Sequence, residues 1–371
     1  MNGRILFPVF VSLVALSACS GSGNNGSSGG GGSAGGTTSN GGGTTTTGAG
    51  ATGGDGIGGG LGGGIGTGGQ GGATGGGDTY FVYASTDTDL FQLDPTAGDL
   101  PLTHLGTFDC IDPVNGPYKS MVDIAVDKDQ NLWGITGHTV VPLTIEGATI
   151  HCGTKTTLNN SVSGQSVPTF YALTFAPVGV LSPDKEVLVA GNSAGELWKI
   201  DANGTISLHG SFGDVPADDG NGHTYDAANV GKPWELSGDI VFLANNGSPV
   251  GFATVRDCPN PPSTTGCSKI DTLIEIDMDK FSQDSPSSVL KAVRGKVVKK
   301  AGCNDPTSSG YGSMYGIAAW NATVFGFSRT GNLVQVDGAD GGACLVKTYS
   351  GDKFSGAGVT TLAPVIDPPV K

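Results

Sequence analysis

Five times between residues 89 and 338 a short apolar-rich segment runs into an acidic turn: DLFQLDP (89–95), TVVPLTIE (139–146), GELWKIDA (195–202), DTLIEIDM (271–278) and GNLVQVDG (331–338). The acids Asp94, Glu146, Asp201, Asp277 and Asp337 lie 52, 55, 76 and 60 residues apart. Ahead of each stands a run of strand character: TYFVYAST (79–86), NLWGITG (131–137), VLVAGNS (187–193), PVGFATV (249–255) and TVFGFSRT (323–330). After each comes another: LTHLGTF (102–108), ATIHCGT (148–154), TISLHGSF (205–212), VLKAVRG (289–295) and CLVKTYSG (344–351). Short strands and turns recurring at this spacing, with no long stretch of helical period, predict an all-β domain of repeated antiparallel units. The acid that ends the third strand suits a turn, because its carboxylate accepts hydrogen bonds from nearby backbone N–H groups.

A first strand precedes four of the five sets: VDIAVD (122–127), ALTFAP (172–177), GDIVFL (238–243) and GIAAW (316–320). The set nearest the N-terminus lacks one, and the missing strand is expected at the other end, as GVTTLAP (358–364). Five four-stranded units, one of them built from both ends, resemble a five-bladed β-propeller with a "Velcro" closure, over residues 79–364. The resemblance implies radial closure, which spares many short strands an exposed edge. A pair of β-sandwiches competes for the same strand count, but it requires no leftover strand.

Residues 19–77 cannot join such a core. Positions 20–77 hold 31 glycines in 58 residues, one charge (Asp55) and no aromatic side chain. Such a segment buries too little apolar surface to offset its chain entropy and is expected to be a disordered tether. As a Gly-rich coil it spans about 40–45 Å. The folded domain is therefore expected over 78–371. Before the tether, Arg4 and the apolar run ILFPVFVSLVAL (5–16) read as a secretory signal peptide over residues 1–18. The run ends in Leu16-Ser17-Ala18-Cys19, which resembles the bacterial lipobox. That resemblance covers residues 1–20 and implies lipidation of Cys19; Ser20 after it implies export to the outer membrane in a Gram-negative envelope. No other segment approaches 18 apolar residues, so the remainder is expected to be soluble.

The six remaining cysteines are an even number in a chain expected to be exported, which favours disulfides. Cys258 and Cys267 bracket the Pro-rich PNPPSTTG and are the first pair expected; Cys110–Cys152 and Cys303–Cys344 follow by order along the chain. No CxxC or Cys/His cluster at zinc spacing is present.

The propeller resemblance implies one face bearing the loops between units, 109–121, 155–171, 213–237, 296–315 and 352–357, together with the 256–270 loop. Four inner strands carry an aromatic residue five places before a common reference position: Tyr118, Trp234, Tyr311 and Phe354, with Val167 in the remaining unit. These side chains are expected either to ring a channel mouth and stack on a ligand or to pack unit against unit. Asp123 and Asp239 share one inner-strand position whose other occupants, Ala172, Gly316 and Val359, offer no side-chain ligand. The two acids suit either a structural role or a hard cation such as calcium. The loop 214–226, with Asp218, Asp219, Asn221 and Asp226, lacks the spacing of an EF-hand. His104, His151 and His209 recur in outer strands expected to lie far apart, and His138 and His223 stand alone in loops.

With 33 acidic against 19 basic residues and a formal charge of −14, the chain repels phosphate backbones, so nucleic acid is not an expected partner. Nucleophile-elbow, HExxH, phosphate-loop and dinucleotide signatures are absent. The sequence therefore favours a membrane-tethered, non-enzymatic module of the cell envelope that binds a protein or a glycan, with no resident cofactor. The alternative is a calcium-dependent, lactonase-like hydrolase or a lyase acting at a central channel.

Overall fold

The computed structural model describes residues 80–365 apart from 264, 284–285, 306–308 and 322. The expected signal peptide, the lipobox with Cys19 and the Gly-rich tether lie outside the described residues. The described chain is all-β, with one short α-helix, α1 (Met278–Phe281), and a 3-10 turn at Asn245–Gly247.

Its principal strands fall into five antiparallel sets of four. The second comprises β4 (Asp123–Val126), β5 (Leu132–Ile135), β6 (Thr139–Glu146) and β7 (Thr149–Cys152). The third comprises β8 (Phe170–Ala176), β9 (Val187–Asn192), β10 (Glu196–Ile200) and β11 (Thr205–Ser211). The fourth has β12 (Glu235–Leu243), β13 (Val250–Arg256), β14 (Thr272–Ile276) and β15 (Leu290–Lys296). The fifth has β16 (Met314–Trp320), β17 (Thr323–Ser328), β18 (Asn332–Asp337) and β19 (Ala343–Thr348). The first set joins β1 (Val82–Thr86), β2 (Asp89–Leu93) and β3 (Leu102–Phe108) to β20 (Phe354–Val359), which pairs antiparallel with β1. Both ends of the described chain thus share one sheet. The first strands also touch one another: β4 lies against β8, β8 against β12, β12 against β16, β16 against β20, and β20 against β4.

Local chemistry explains the turns. Asp94 accepts the N–H of Thr96 at 2.8 Å and Asp337 that of Ala339 at 2.9 Å. Asp277 accepts from Lys280 at 3.1 Å and so caps α1, a helical turn that the sequence reading did not anticipate. Apolar residues at alternate strand positions build four buried clusters, each holding residues from at least two neighbouring sets.

Three expectations are corrected. The closing strand is Phe354–Val359, four residues upstream of 358–364, so most of the expected 352–357 loop is strand. Gly356 pairs with Ser85 as Gly316 pairs with Phe327 and Asp123 with Ile135, which makes Gly356, and not Val359, the counterpart of Asp123. Thirdly, outer strands do not all lie apart: β3 pairs with β7 at Thr107↔Thr149 and Phe108↔Ile150.

All three disulfides form as expected, Cys110–Cys152, Cys258–Cys267 and Cys303–Cys344.

Candidate functional site

The aromatic set does not gather at a channel mouth. Trp234 and Phe354 are fully buried and Tyr311 is 6% exposed. Trp234 stacks edge-on against Tyr225, at 5.1 Å between ring centres. Phe354 meets Phe91, Phe327 and Tyr349. The Tyr311 hydroxyl donates to Asp305 and accepts the N–H of Leu345. Tyr118 is half-buried beneath the Lys155 ammonium, 4.6 Å from its ring centre. The four residues belong to or border three separate core clusters. They pack sheet against sheet.

Neighbouring first strands approach one another closely at Gly316 and Gly356. A Cβ added at Gly316 would fall 2.5 Å from the carbonyl carbon of Gly356, and one at Gly356 only 2.2 Å from Asp123 Oδ1. Backbone meets backbone there, which is why small residues fill these positions.

Two other aromatic residues reach the surface, Tyr171 (41% exposed) and the half-buried Tyr315. Each sits where the strand register slips, between Phe170 and Ala172 on β8 and between Met314 and Gly316 on β16. A β-bulge re-aims its extra side chain, and such bulges are frequent beside functional sites. Both tyrosines line a recess of about 260 Å³, with Ser193, Ser237, Arg256 and Ser263 among the polar groups that converge on it. This recess lies at the starts of β8, β12 and β16, where the long connections between sets arrive.

Its polar groups are fixed from beneath. Glu235, 2% exposed, pairs across the strands with Arg256, whose Nε donates to Oε1 at 3.1 Å and whose Nη2 donates to the same oxygen. Glu235 Oε2 accepts the N–H of Ser263 at 2.7 Å, tying the loop closed by Cys258–Cys267 to the recess. Ser237 donates its hydroxyl to the buried Asp271, which also accepts the Met314 N–H at 3.0 Å. Burial pushes the Asp271 carboxyl up to about 6 against these hydrogen bonds and the nearby Arg256 charge. Among the described residues the lining holds no histidine, its one carboxylate, Glu235, is ion-paired, and of its three serines Ser237 donates directly to Asp271. The arrangement offers hydrogen-bonding groups and flat aromatic faces.

Asp123 and Asp239 come together, both fully buried and within hydrogen-bonding reach of each other. Asp123 Oδ2 accepts the N–H of Leu173 on β8. Asp239 accepts from Ile317 on β16 at 3.0 Å, from Ile240 at 2.6 Å and from Ala357 on β20. Burial, then the charge of Asp239, holds Asp123 well above the ordinary carboxylate range, and burial raises Asp239 too. Calcium takes six to eight oxygen ligands, whereas three of these four oxygens already accept backbone N–H groups. The pair does not fit that ion.

The 214–226 loop is equally self-satisfied. Asp219 accepts the N–H groups of Asn221, His223 and Lys296, and despite burial these bonds lower its carboxyl to about 2. The N–H of Gly220 goes to Asp218 and that of Ala228 to Asp226, while the Asn221 amide donates to the Arg294 carbonyl. His104 pairs with Asp89, His151 with Asp109 and His209 with the Phe281 carbonyl. In the loops, His138 meets Thr169 and His223 meets Asp219. Among the described residues two groups of metal-ligand type converge, Asp109 with Cys110 and Cys152, and Glu235 with Cys258 and Cys267. In each the sulfurs are joined in a disulfide and offer no thiolate.

A larger recess, of about 470 Å³, lies between the fourth and fifth sets. It is walled by apolar residues such as Leu243, Phe252 and Val336, and its charged rim is spent in the Lys300–Asp337 and Arg294–Glu275 pairs. We favour the smaller recess because its polar groups converge.

No protein-family description matches the chain, and no curated protein matches it. Among solved structures, a protein of unknown function from Bacteroides caccae is similar over 76% of this chain and 99% of that one. The identity is 8% and the TM-score 0.35, a likeness too low to carry an argument.

Proposed function

We propose that this chain is an envelope lipoprotein, anchored through Cys19 and carried on a Gly-rich tether, whose folded part is a five-bladed β-propeller that binds a glycan without transforming it. The five-blade reading is supported by the circuit of first strands and by β20 completing the sheet that β1 opens. Three disulfides suit an oxidising compartment. The anchor rests on Leu16-Ser17-Ala18-Cys19 and the apolar run before it.

One observation carries the ligand class: two bulge-borne tyrosines stand over serine hydroxyls and a neutralised Glu235–Arg256 pair in a recess of about 260 Å³. Drug-sized ligands occupy pockets of about 300–1,000 Å³, so a single sugar ring or the tip of a chain is the better match. The apolar face of a sugar stacks on tyrosine, and its hydroxyls bond to planar charged groups and serines. A glycan array followed by fluorescence titration tests the reading. Tyr171→Ala and Tyr315→Ala should each weaken binding at least about tenfold, the loss of 1.4 kcal/mol, with melting temperature unchanged. Absence of saturable binding to any glycan would refute it. Labelled palmitate entering the wild type but not Cys19→Ala tests the anchor.

A further inference from the structure

The five first strands meet at two carboxyl groups. Asp123 stands on β4 and Asp239 on β12, and the N–H groups they accept belong to Leu173 on β8, Ile317 on β16 and Ala357 on β20. Every member of the circuit is therefore tied to one pair of side chains. The two are not equally served. Asp239 receives three backbone N–H groups and Asp123 two, from Leu173 and Ile124, and Asp123 Oδ1, wholly buried, is the one oxygen of the pair left without a hydrogen-bond partner among the described residues. Two like charges at this spacing in a dry interior cannot both persist. No basic side chain is paired with either among the described residues.

We propose that Asp123 is a proton-binding site: its Oδ1 carries a hydrogen that it donates to ionised Asp239, so that one shared proton clasps the five strands at their centre. The N–H groups favour charge on Asp239, and the orphaned Oδ1 marks where the hydrogen sits. Gly356 leaves room for that atom, since a Cβ there would lie 2.2 Å from it. Other titratable groups on the five strands are Tyr171, Glu235 and Tyr315, all at the recess end. The strands behind them add Tyr83, bonded to Gln92, and Arg256, paired with Glu235. Asp271 approaches through Ser237 and Met314. None of these reaches the pair with a hydrogen bond.

The consequence is a fold that loosens as pH rises. Two free aspartates in the unfolded chain are ionised above pH of about 4, while the folded chain keeps one proton. Folding then takes up a proton, and stability falls with rising pH until the pair gives it up. Asparagine at 123 presents an N–H where the acid presents its O–H, so Asp123→Asn should keep the clasp and lose its pH dependence.

Urea unfolding from pH 5 to 7 compares the two proteins. The wild-type unfolding constant should rise about tenfold more steeply per pH unit than that of the variant; titration of Asp271 is common to both and cancels. Parallel profiles overturn the proposal. Infrared difference spectra of the wild type at pH 7 give a reading that needs no variant: the carbonyl band of a protonated carboxylic acid is expected, and its absence overturns the proposal. A calcium-induced rise in melting temperature, reversed by EDTA and absent from Asp123→Asn, overturns it in favour of a cation.

Discussion

Replacing Trp234 with alanine separates packing from binding. The side chain is fully buried, lies edge-on against Tyr225 and shares its cluster with Phe212, Leu236 and Val255. Its Nε1 has no hydrogen-bond partner among the described residues, so truncation breaks no hydrogen bond. Truncating a buried tryptophan costs about 3–5 kcal/mol, and the edge-to-face contact lies within that range. For a domain of this size each kcal/mol moves the melting temperature by about 2–4 °C. A central cost of about 4 kcal/mol therefore predicts a fall of about 8–16 °C by scanning calorimetry. Tyr171→Ala is the partner experiment: at 41% exposure it removes little packing, and a change within about 0.5 kcal/mol is expected. If Trp234→Ala melts within about 2 °C of wild type, or Tyr171→Ala falls as far as Trp234→Ala, the division between core and recess is wrong.

Three other outcomes follow from the same geometry. The bridges Cys110–Cys152 and Cys258–Cys267 span 42 and 9 residues; loop-closure entropy assigns them about 4 and about 2.5 kcal/mol, and urea midpoints of the paired alanine variants should follow that order. Ending the chain after Asp352 removes β20 and should abolish cooperative unfolding, as read by circular dichroism; a sharp transition would show that the first sheet stands without it. Gly356→Ala places a methyl against Asp123 and should cost about 1–3 kcal/mol, while an unchanged denaturation curve would mean that the centre is roomier than its contacts indicate.

Strand positions were legible because alternating apolar residues and acid-ended turns are local signals. The closing strand was misplaced for a physical reason. GVTTLAP carries the β-branched residues, whereas the true strand, FSGAGV, reads like a loop. Its side chains are small because Asp123 and the Gly316 backbone occupy the space beside it, a demand of tertiary contact that outweighs propensity. The misplacement carried Phe354 into the aromatic set. The disulfide pairs were legible because each joins neighbours in chain order. The recess was not: Tyr171 and Tyr315 share one offset, immediately before Ala172 and Gly316, but the register slips that turn them outward exist only between strands. That Asp123 and Asp239 occupy equivalent positions was visible; that they meet was not.

Because β20 completes the sheet that β1 opens, the earliest-made strands remain without their innermost partner until residue 359 has left the ribosome. Synthesis from the N-terminus therefore leaves β1 with an open edge until β20 has emerged, some 270 residues later.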